Sequence, residues 1–343
     1  MLLIVSHHYV VSSDLMNSIC ENPISSASIF YYLFGAWGKT GINCFVLITG
    51  YFMCESAISL RKFLKLYVWI VFYNIAITSI FTITGYVTLS LNAIFLFMPF
   101  RIIHSNCFGD AFMVWWLFIP FLNILIKNLS RKMHMRLLVM LFIVFSVYPF
   151  VPKILQIDNN PICWFSTLYV IASYIRKYPQ NIPYGTSALF WGCITIILVM
   201  IVMASIYSIL MLGSYLDLEL PQWYLIAESH QLFALFIALA SFMWFKNIKI
   251  NNNRVINTIA ASSFGVLLIH ANSDTMRQWL WKDTIDSVGH YDTPYYWLYA
   301  IGCVLAIYAV CTVIDIIRIK TIETPLLNAT ETLCLKIYNK FKR

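Results

Sequence analysis

The chain has 343 residues, of which 60% are hydrophobic and only 11% are charged, and its formal net charge is +8. Soluble domains average about 45–50% apolar and about 25% charged residues, so a soluble globule could not cover this much apolar surface with polar side chains. The composition argues against disulfide scaffolds of secreted proteins, nucleic-acid binders and disordered chains. It predicts a polytopic membrane protein of the all-α class.

The apolar residues fall into segments that are suited to crossing a bilayer, which takes about 20 mainly apolar residues per helix. Ten candidate spans occur at residues 1–13, 34–54, 63–86, 111–127, 135–152, 161–176, 187–212, 230–246, 256–271 and 295–317. The second is the weakest, because it contains several glycines, a lysine and an asparagine. The stretch 91–103 is apolar but short, which is typical of an interfacial or re-entrant piece.

Lys and Arg are concentrated in alternate connectors of this predicted bundle. Most of the 23 basic residues fall in the even-numbered connectors and in the C-terminal tail. Cytoplasmic loops of membrane proteins carry such an excess, so the pattern predicts that both termini are cytoplasmic. The positive charge therefore does not indicate nucleic acid. The nine cysteines include no CxxC and no Cys/His pair with zinc spacing, so no disulfide and no metal site is predicted.

The first predicted span is short. Its apolar part, MLLIVSHHYVV, is about 16 Å long at about 1.5 Å per residue, roughly half of the hydrocarbon thickness. Two explanations are open. The helix is inserted only in part and shielded by its neighbours, or Met1 is an internal methionine of a longer helix, which is the explanation we favour.

Ionisable residues inside the spans are functional candidates, because they are costly in a bilayer. His7 and His8 lie in the first span. Adjacent helical positions point about 100° apart, so only one of the two is expected to face a given cavity. A histidine that titrates near neutral pH can take a proton from a hydroxyl as a general base. The alternative is a structural histidine bonded to a neighbouring helix.

Three further sites carry similar alternatives. Lys39, in the stretch GKTGIN, either meets an anion or a carboxylate or extends to the interface. His270, at the outer end of the ninth span, either positions a ligand or caps its helix. Lys62 and Lys65 are three residues apart and share a helix face, where they could bind phosphates. The ordinary role of such a cluster, which includes Arg61, is membrane topology and contact with lipid headgroups.

Six stretches, taken in order, match the motif pattern of one known family. They are MLLIVSHHYV, GINCFVLITGYFM, RKFLKLYVWIVFYN, WWLFIPFLNILI, WFSTLYVIASYIRKY and SSFGVLLIH. Together with ten spans, they resemble the acyltransferase-3 family of integral membrane acyltransferases, and most closely its bacterial surface-glycan O-acetyltransferases. The resemblance covers nearly the whole chain, so residues 1–343 are interpreted as a single domain whose first span is truncated at its N-terminal end.

The resemblance implies a multi-pass protein of the inner (plasma) membrane, in contact with its lipids. The implied donor is cytoplasmic acetyl-CoA or another acyl-CoA, used as a substrate with no bound cofactor. The implied acceptor is a hydroxyl of an envelope polysaccharide or lipid-linked glycan. His8 aligns with the family histidine that assists acyl transfer. Arg61, Lys62 and Lys65 correspond to the segment that holds the CoA phosphates, where many members have two arginines.

The chemistry calls for a polar channel through the bundle, because acyl-CoA is cytoplasmic and a growing envelope glycan is often outside. We expect spans one, two, three and nine to line this channel, with His8 in it and His270 at its outer end. A thioester carbonyl develops negative charge during acyl transfer. Lys39, Asn43 and Tyr51 are the donors expected to stabilise that charge.

One departure from the family pattern concerns an arginine that precedes the histidine by eleven positions. Counting back from His8 reaches a position before Met1. Either the natural chain begins upstream, or it lacks one of the two groups that define the family and is a degenerate, inactive member.

Two other polytopic classes compete with the transferase. A transporter or flippase of a glycan or lipid-linked sugar also has intramembrane His and Lys, but the sequence shows no paired halves. A polysaccharide polymerase has a similar number of spans and usually a large outer loop. The longest predicted outer connectors here are only residues 213–229 and 272–294.

Overall fold

The computed structural model describes residues 1–88, 108–150 and 160–326, so the predicted piece at 91–103 lies outside the described residues. Within those ranges the chain is helical and has no β-strand, which confirms the all-α class. The α-helices are α1 (Leu2–Val11), α2 (Leu15–Glu21), α3 (Ser26–Gly35), α4 (Gly38–Met53), α5 (Leu60–Ile83), α6 (Phe108–Asn128), α7 (Arg131–Phe142), α8 (Pro161–Lys177), α9 (Ala188–Leu216), α10 (Leu232–Asn247), α11 (Arg254–Ala261), α12 (Ser263–His270), α13 (Asp274–Arg277) and α14 (Tyr296–Arg318).

Every predicted span overlaps at least one of these helices, but fewer are long and apolar enough to cross a membrane by themselves. In the described part of the chain those are Arg61–Ile83, Phe108–Asn128, Ala188–Leu216 and Tyr296–Leu326. A fifth is added if Arg254–His270 and Asp274–Thr284, bent by 92°, form one broken span. These helices are typical of a multi-pass membrane protein. The count of ten and the cytoplasmic position of both termini stay predictions.

Polar residues just before the apolar runs set where several helices begin. A side-chain oxygen accepts a backbone N–H two or three residues further on, which satisfies a donor that the first helical turn leaves unpaired. The residues that cap in this way include Ser25, Ser59, Ser130, Asn160, Ser187 and Asn253. Pro161 follows its cap directly, at a position where a missing N–H costs nothing.

Helix α1 lies in a groove made of glycines. A Cβ added to any of three glycines, spaced three residues apart, would come within 3.0 Å of an α1 side chain. The pairs are Gly35 with Val10, Gly38 with His7, and Gly41 with Ile4. Small residues allow this close approach of two helices. This packing brings the two adjacent histidines into the bundle, and both explanations of the short first span stay predictions.

Basic side chains gather where α4, α6 and α8 end. The Arg176 Nε lies 2.7 Å from a carboxylate oxygen of Glu55, which follows α4. Lys177 donates to the backbone carbonyl of Ile126 near the end of α6, at 2.6 Å. Since α5 and α7 start directly after α4 and α6, their basic first turns lie at this same end of the bundle.

Candidate functional site

A cavity of about 160 Å³ lies beside α1, and we call it the histidine cavity. Helices α1, α4, α5 and α12, from the four spans expected to form the channel, line it together with α6 and α13. Its polar lining residues are His7, His8, Lys39, Asn74, Asp110, Asn272 and Arg277. Ionisable groups from both halves of the chain therefore meet in one space between apolar helices.

Both histidines of α1 line this cavity, so the expectation that only one of them would face it was wrong. The rings lie 5.9 Å apart, and the cavity is wide enough to reach both faces of the helix. The Nδ1 atom of His7 lies 2.6 Å from the carbonyl oxygen of Gly35. A carbonyl only accepts, so His7 carries its proton on Nδ1 when neutral. The Nδ1 atom of His8 is buried and has no hydrogen-bond partner among the described residues.

His270 lies behind His8 and is not among the cavity-lining residues. It is fully buried, and its ring centroid is 5.1 Å from that of His8. Its Nδ1 donates to the carbonyl of Val266 at 2.6 Å, which leaves Nε2 as an acceptor. That Nε2 has no hydrogen-bond partner within the described ranges. The His270 ring packs against the His8 ring and can restrict its rotation by this contact.

The cavity also contains side chains of both charges. Asp110, near the start of α6, is buried with 8% of its surface exposed. Arg277 pairs with Asp274 on its own helix, and the Lys39 Nζ lies 3.5 Å from Glu228. Both ion pairs leave their acidic partner exposed to solvent. Two cations at the rim of a largely enclosed space can stabilise a negative charge that develops inside it.

The model of the acyltransferase-3 family, described as an acyltransferase domain, matches residues 1–315. The chain belongs to this family. No curated protein and no solved structure matches it significantly. The family match confirms the resemblance carried by the six motifs, and it makes the histidine cavity the candidate active site of a membrane acyltransferase.

Two predicted channel residues of this acyltransferase lie away from the histidine cavity. Asn43 is completely buried, donates to the Ser229 carbonyl at 2.7 Å and accepts from the Trp164 indole at 2.9 Å. Its amide therefore links α4 to α8 and to the loop before α10. Tyr51 lies at the opposite end of α4, where the Arg176 guanidinium is 4.9 Å from its ring.

The basic segment that opens α5 is outside the cavity, and its lysines have protein partners. The Lys65 Nζ lies 2.8 Å from a carboxylate oxygen of Glu323. The Lys62 Nζ donates to the Ala57 carbonyl at 2.9 Å and contacts the Ser56 hydroxyl. Arg61 is exposed on the same turn. All three are accessible from one end of the bundle, as a phosphate site requires, but Glu323 competes for Lys65.

A buried charge network, which the sequence analysis missed, joins α14 to α5. Asp315 accepts from the Tyr73 hydroxyl at 2.7 Å, from the Trp69 indole at 3.0 Å and from Arg318 at 2.8 Å. Arg318 also lies 2.8 Å from Glu323, which in turn pairs with Lys65. The visible signal was Asp315 inside the predicted span 295–317, where charges are rare and normally paired, with Arg318 three residues later at the end of that span.

Within the described ranges, no group of three or more His, Cys, Asp or Glu has the geometry to hold a metal ion. The cavity itself is lined by histidines, cations and a carboxylate. These groups can move a proton and stabilise charge.

The contact between Gly38 and His7 leads to a testable prediction. A Cβ at position 38 would lie 2.4 Å from the His7 Cγ, so Gly38→Ala forces the ring away from Gly35. We expect a loss of about 1–3 kcal/mol in the free energy of unfolding, as for overpacked cores, together with impaired transfer. Gly302→Ala is the matched control, because its Cβ would meet nothing within 4 Å. Equal unfolding midpoints of the two variants in detergent would contradict this packing.

Proposed function

We propose that the protein is an O-acyltransferase of the inner membrane. It moves an acetyl or other acyl group from cytoplasmic acyl-CoA to a hydroxyl of an envelope polysaccharide or lipid-linked glycan. Membership of an acyltransferase family supports the reaction class. The observation that carries the proposal is His8, which lines the histidine cavity with its Nδ1 unpaired among the described residues and His270 against its ring.

His8 acts as the general base in this mechanism. The acceptor hydroxyl oxygen attacks the thioester carbonyl as His8 takes the hydroxyl proton. The tetrahedral intermediate then collapses with cleavage of the C–S bond. The CoA thiolate leaves and takes the proton back from His8, so the products are an ester and free CoA. His270 is a positioning residue that keeps the His8 ring oriented.

Lys39 and Arg277 stabilise the oxyanion of the tetrahedral intermediate, since both line the cavity that contains His8. Arg277 replaces Asn43 and Tyr51 in this role, because the side chains of those two residues lie elsewhere. Arg61, Lys62 and Lys65 attract the CoA phosphates at the end of the bundle where α5 begins. Since lysines offer point charges rather than a bidentate fork, they contribute attraction more than geometry.

The test is transfer of label from acetyl-CoA in membranes. Membranes containing the protein, incubated with acetyl-labelled CoA, should incorporate label covalently into glycan or lipid-linked glycan, and the label should be released by mild base as an ester. Membranes without the protein are the control. The proposal is wrong if neither glycan nor lipid-linked glycan carries base-labile label. If proteoliposomes containing the protein then take up glycan, the protein is a transporter.

A further inference from the structure

A second cavity, which plays no part in the proposed transfer, lies among helices α7 to α10. Its volume is about 320 Å³, and we call it the apolar groove. Its walls include Leu138 of α7, Ile171 of α8, Leu198 of α9 and Phe236 of α10. The lining is almost entirely apolar. An apolar cavity of this size in a membrane protein accommodates hydrocarbon.

A basic pocket of about 410 Å³ lies at the start of α7. Arg131, Lys132 and Arg136 line it, together with Tyr174 and Asn181. The three basic side chains are exposed, and none of them forms an ion pair with another described residue. The pocket therefore presents three positive charges that the described part of the protein does not neutralise.

The position of these charges favours an anionic ligand. The N-terminus of a helix carries a partial positive charge, so cations there are unfavourable. Arg131 and Lys132 occupy the first turn of α7, which has no acidic residue. An anion bound in the pocket would offset both the side-chain charges and the partial positive charge of the helix terminus.

Tyr174 lines both the basic pocket and the apolar groove, so the two are adjacent. Along α7 the distance from Arg131 to Leu138 is about 10 Å, at about 1.5 Å per residue. The charges therefore lie about one headgroup length from the start of the groove. A ligand that fills both has a phosphate at one end and a hydrocarbon chain at the other.

We propose that the basic pocket and the apolar groove form a binding site for one anionic phospholipid of the surrounding membrane. The phosphate contacts Arg131, Lys132 and Arg136, and one acyl chain lies along the groove between α7 and α9. Basic pockets between transmembrane helices bind anionic lipid headgroups in this way. The site is separate from the residues assigned to acyl transfer, so this proposal does not depend on that function.

Native mass spectrometry of the full-length, delipidated protein tests the proposal. The probes are dioleoyl-phosphatidylglycerol and dioleoyl-phosphatidylcholine, which share acyl chains and differ in headgroup charge. We expect one tightly bound phosphatidylglycerol that phosphatidylcholine does not displace. The triple variant R131Q/K132Q/R136Q should bind it about a hundredfold more weakly. Each basic residue near an anionic headgroup strengthens binding about fivefold, and the three contributions multiply.

The matched control is K249Q/R254Q/K320Q, which removes the same charge from exposed positions outside the pocket. It should bind phosphatidylglycerol as the unmodified protein does. Equal losses in both triple variants, or no loss in either, would overturn the proposal. Displacement of the lipid by inorganic phosphate or ADP would overturn it as well, because the pocket would then take a soluble phosphate.

A second variant tests the groove without changing charge. Leu198→Trp fills the space between α9 and α10 and should remove the bound phosphatidylglycerol. Leu212→Trp is its control, because Leu212 is half exposed on the same helix and does not line the groove. Retention of the bound lipid by the Leu198 variant would show that the acyl chain does not lie there.

Discussion

Replacing His8 with alanine should lower the rate of acyl transfer by about 10²–10⁴-fold, the usual contribution of a positioned general base. The reason is that His8 lines the cavity with a buried Nδ1 that no described residue engages, whereas the His7 Nδ1 is held by Gly35. The measurement is the initial rate of label transfer from acetyl-CoA in membranes that contain equal amounts of each protein. The loss should appear in kcat, with little change in KM for acetyl-CoA.

Two other histidines serve as controls for this experiment. His7→Ala should reduce the rate less than His8→Ala, because the His7 ring is tied to the backbone. His134 is a buried histidine in α7, bonded to the Val170 carbonyl at 3.0 Å and remote from the cavity lining. His134→Ala should retain the activity of the folded fraction. If His7→Ala abolished transfer and His8→Ala did not, the base would be His7 and the present assignment would be wrong.

Replacing Arg318 with methionine should lower the free energy of unfolding by about 3–5 kcal/mol, the usual cost of removing one partner from a buried ion pair. Arg318 is 2% exposed, and its loss leaves the buried carboxylates of Asp315 and Glu323 without their shared cation. Lys65 still pairs with Glu323, but it lies 46% exposed at the edge of the network. The measurement is the unfolding midpoint of the purified protein in detergent.

Arg176→Met is the matched control, because it removes an arginine from a solvent-exposed pair with Glu55. Exposed pairs contribute about 0.2–1 kcal/mol, so this variant should be nearly as stable as the unmodified protein. A combined Arg318→Met, Asp315→Leu and Glu323→Met variant should recover much of the lost stability, since it leaves no unpaired buried charge. Equal midpoints for the two single methionine variants would show that the network is not a stabilising one.

Much of the fold could be predicted from the sequence because helix formation in a bilayer is a local property. A spanning segment must satisfy its own backbone hydrogen bonds, so a long apolar run becomes a helix. Each predicted span accordingly overlaps a helix within the described ranges. The short helices α2 and α3 were not predicted, because residues 15–35 mix polar and apolar side chains without a long apolar run.

The candidate site was predictable only in part. His8 and Lys39 were recognisable as ionisable residues in apolar surroundings, and they line the cavity. Arg277 falls in the predicted outer connector 272–294, and neither it nor Asp110 was among the predicted site residues. Asn43 is a polar residue in a span and was therefore expected in the channel, yet its amide group is hydrogen-bonded to Ser229 and Trp164. The sequence gives the type of a polar residue in a span, but it does not give the hydrogen-bond partner of that residue.

The amino-acid sequence alone determined the membrane class, the helical architecture and the family, because apolar runs, their caps and short motifs are all local features. Only the tertiary structure decided that His270 lies against His8, and that Trp69 and Tyr73 of α5 donate to the Asp315 carboxylate. It also decided that α1 is the helix that packs against Gly35, Gly38 and Gly41. These contacts join residues far apart in the chain. They depend on how complete helices pack, which no local pattern contains.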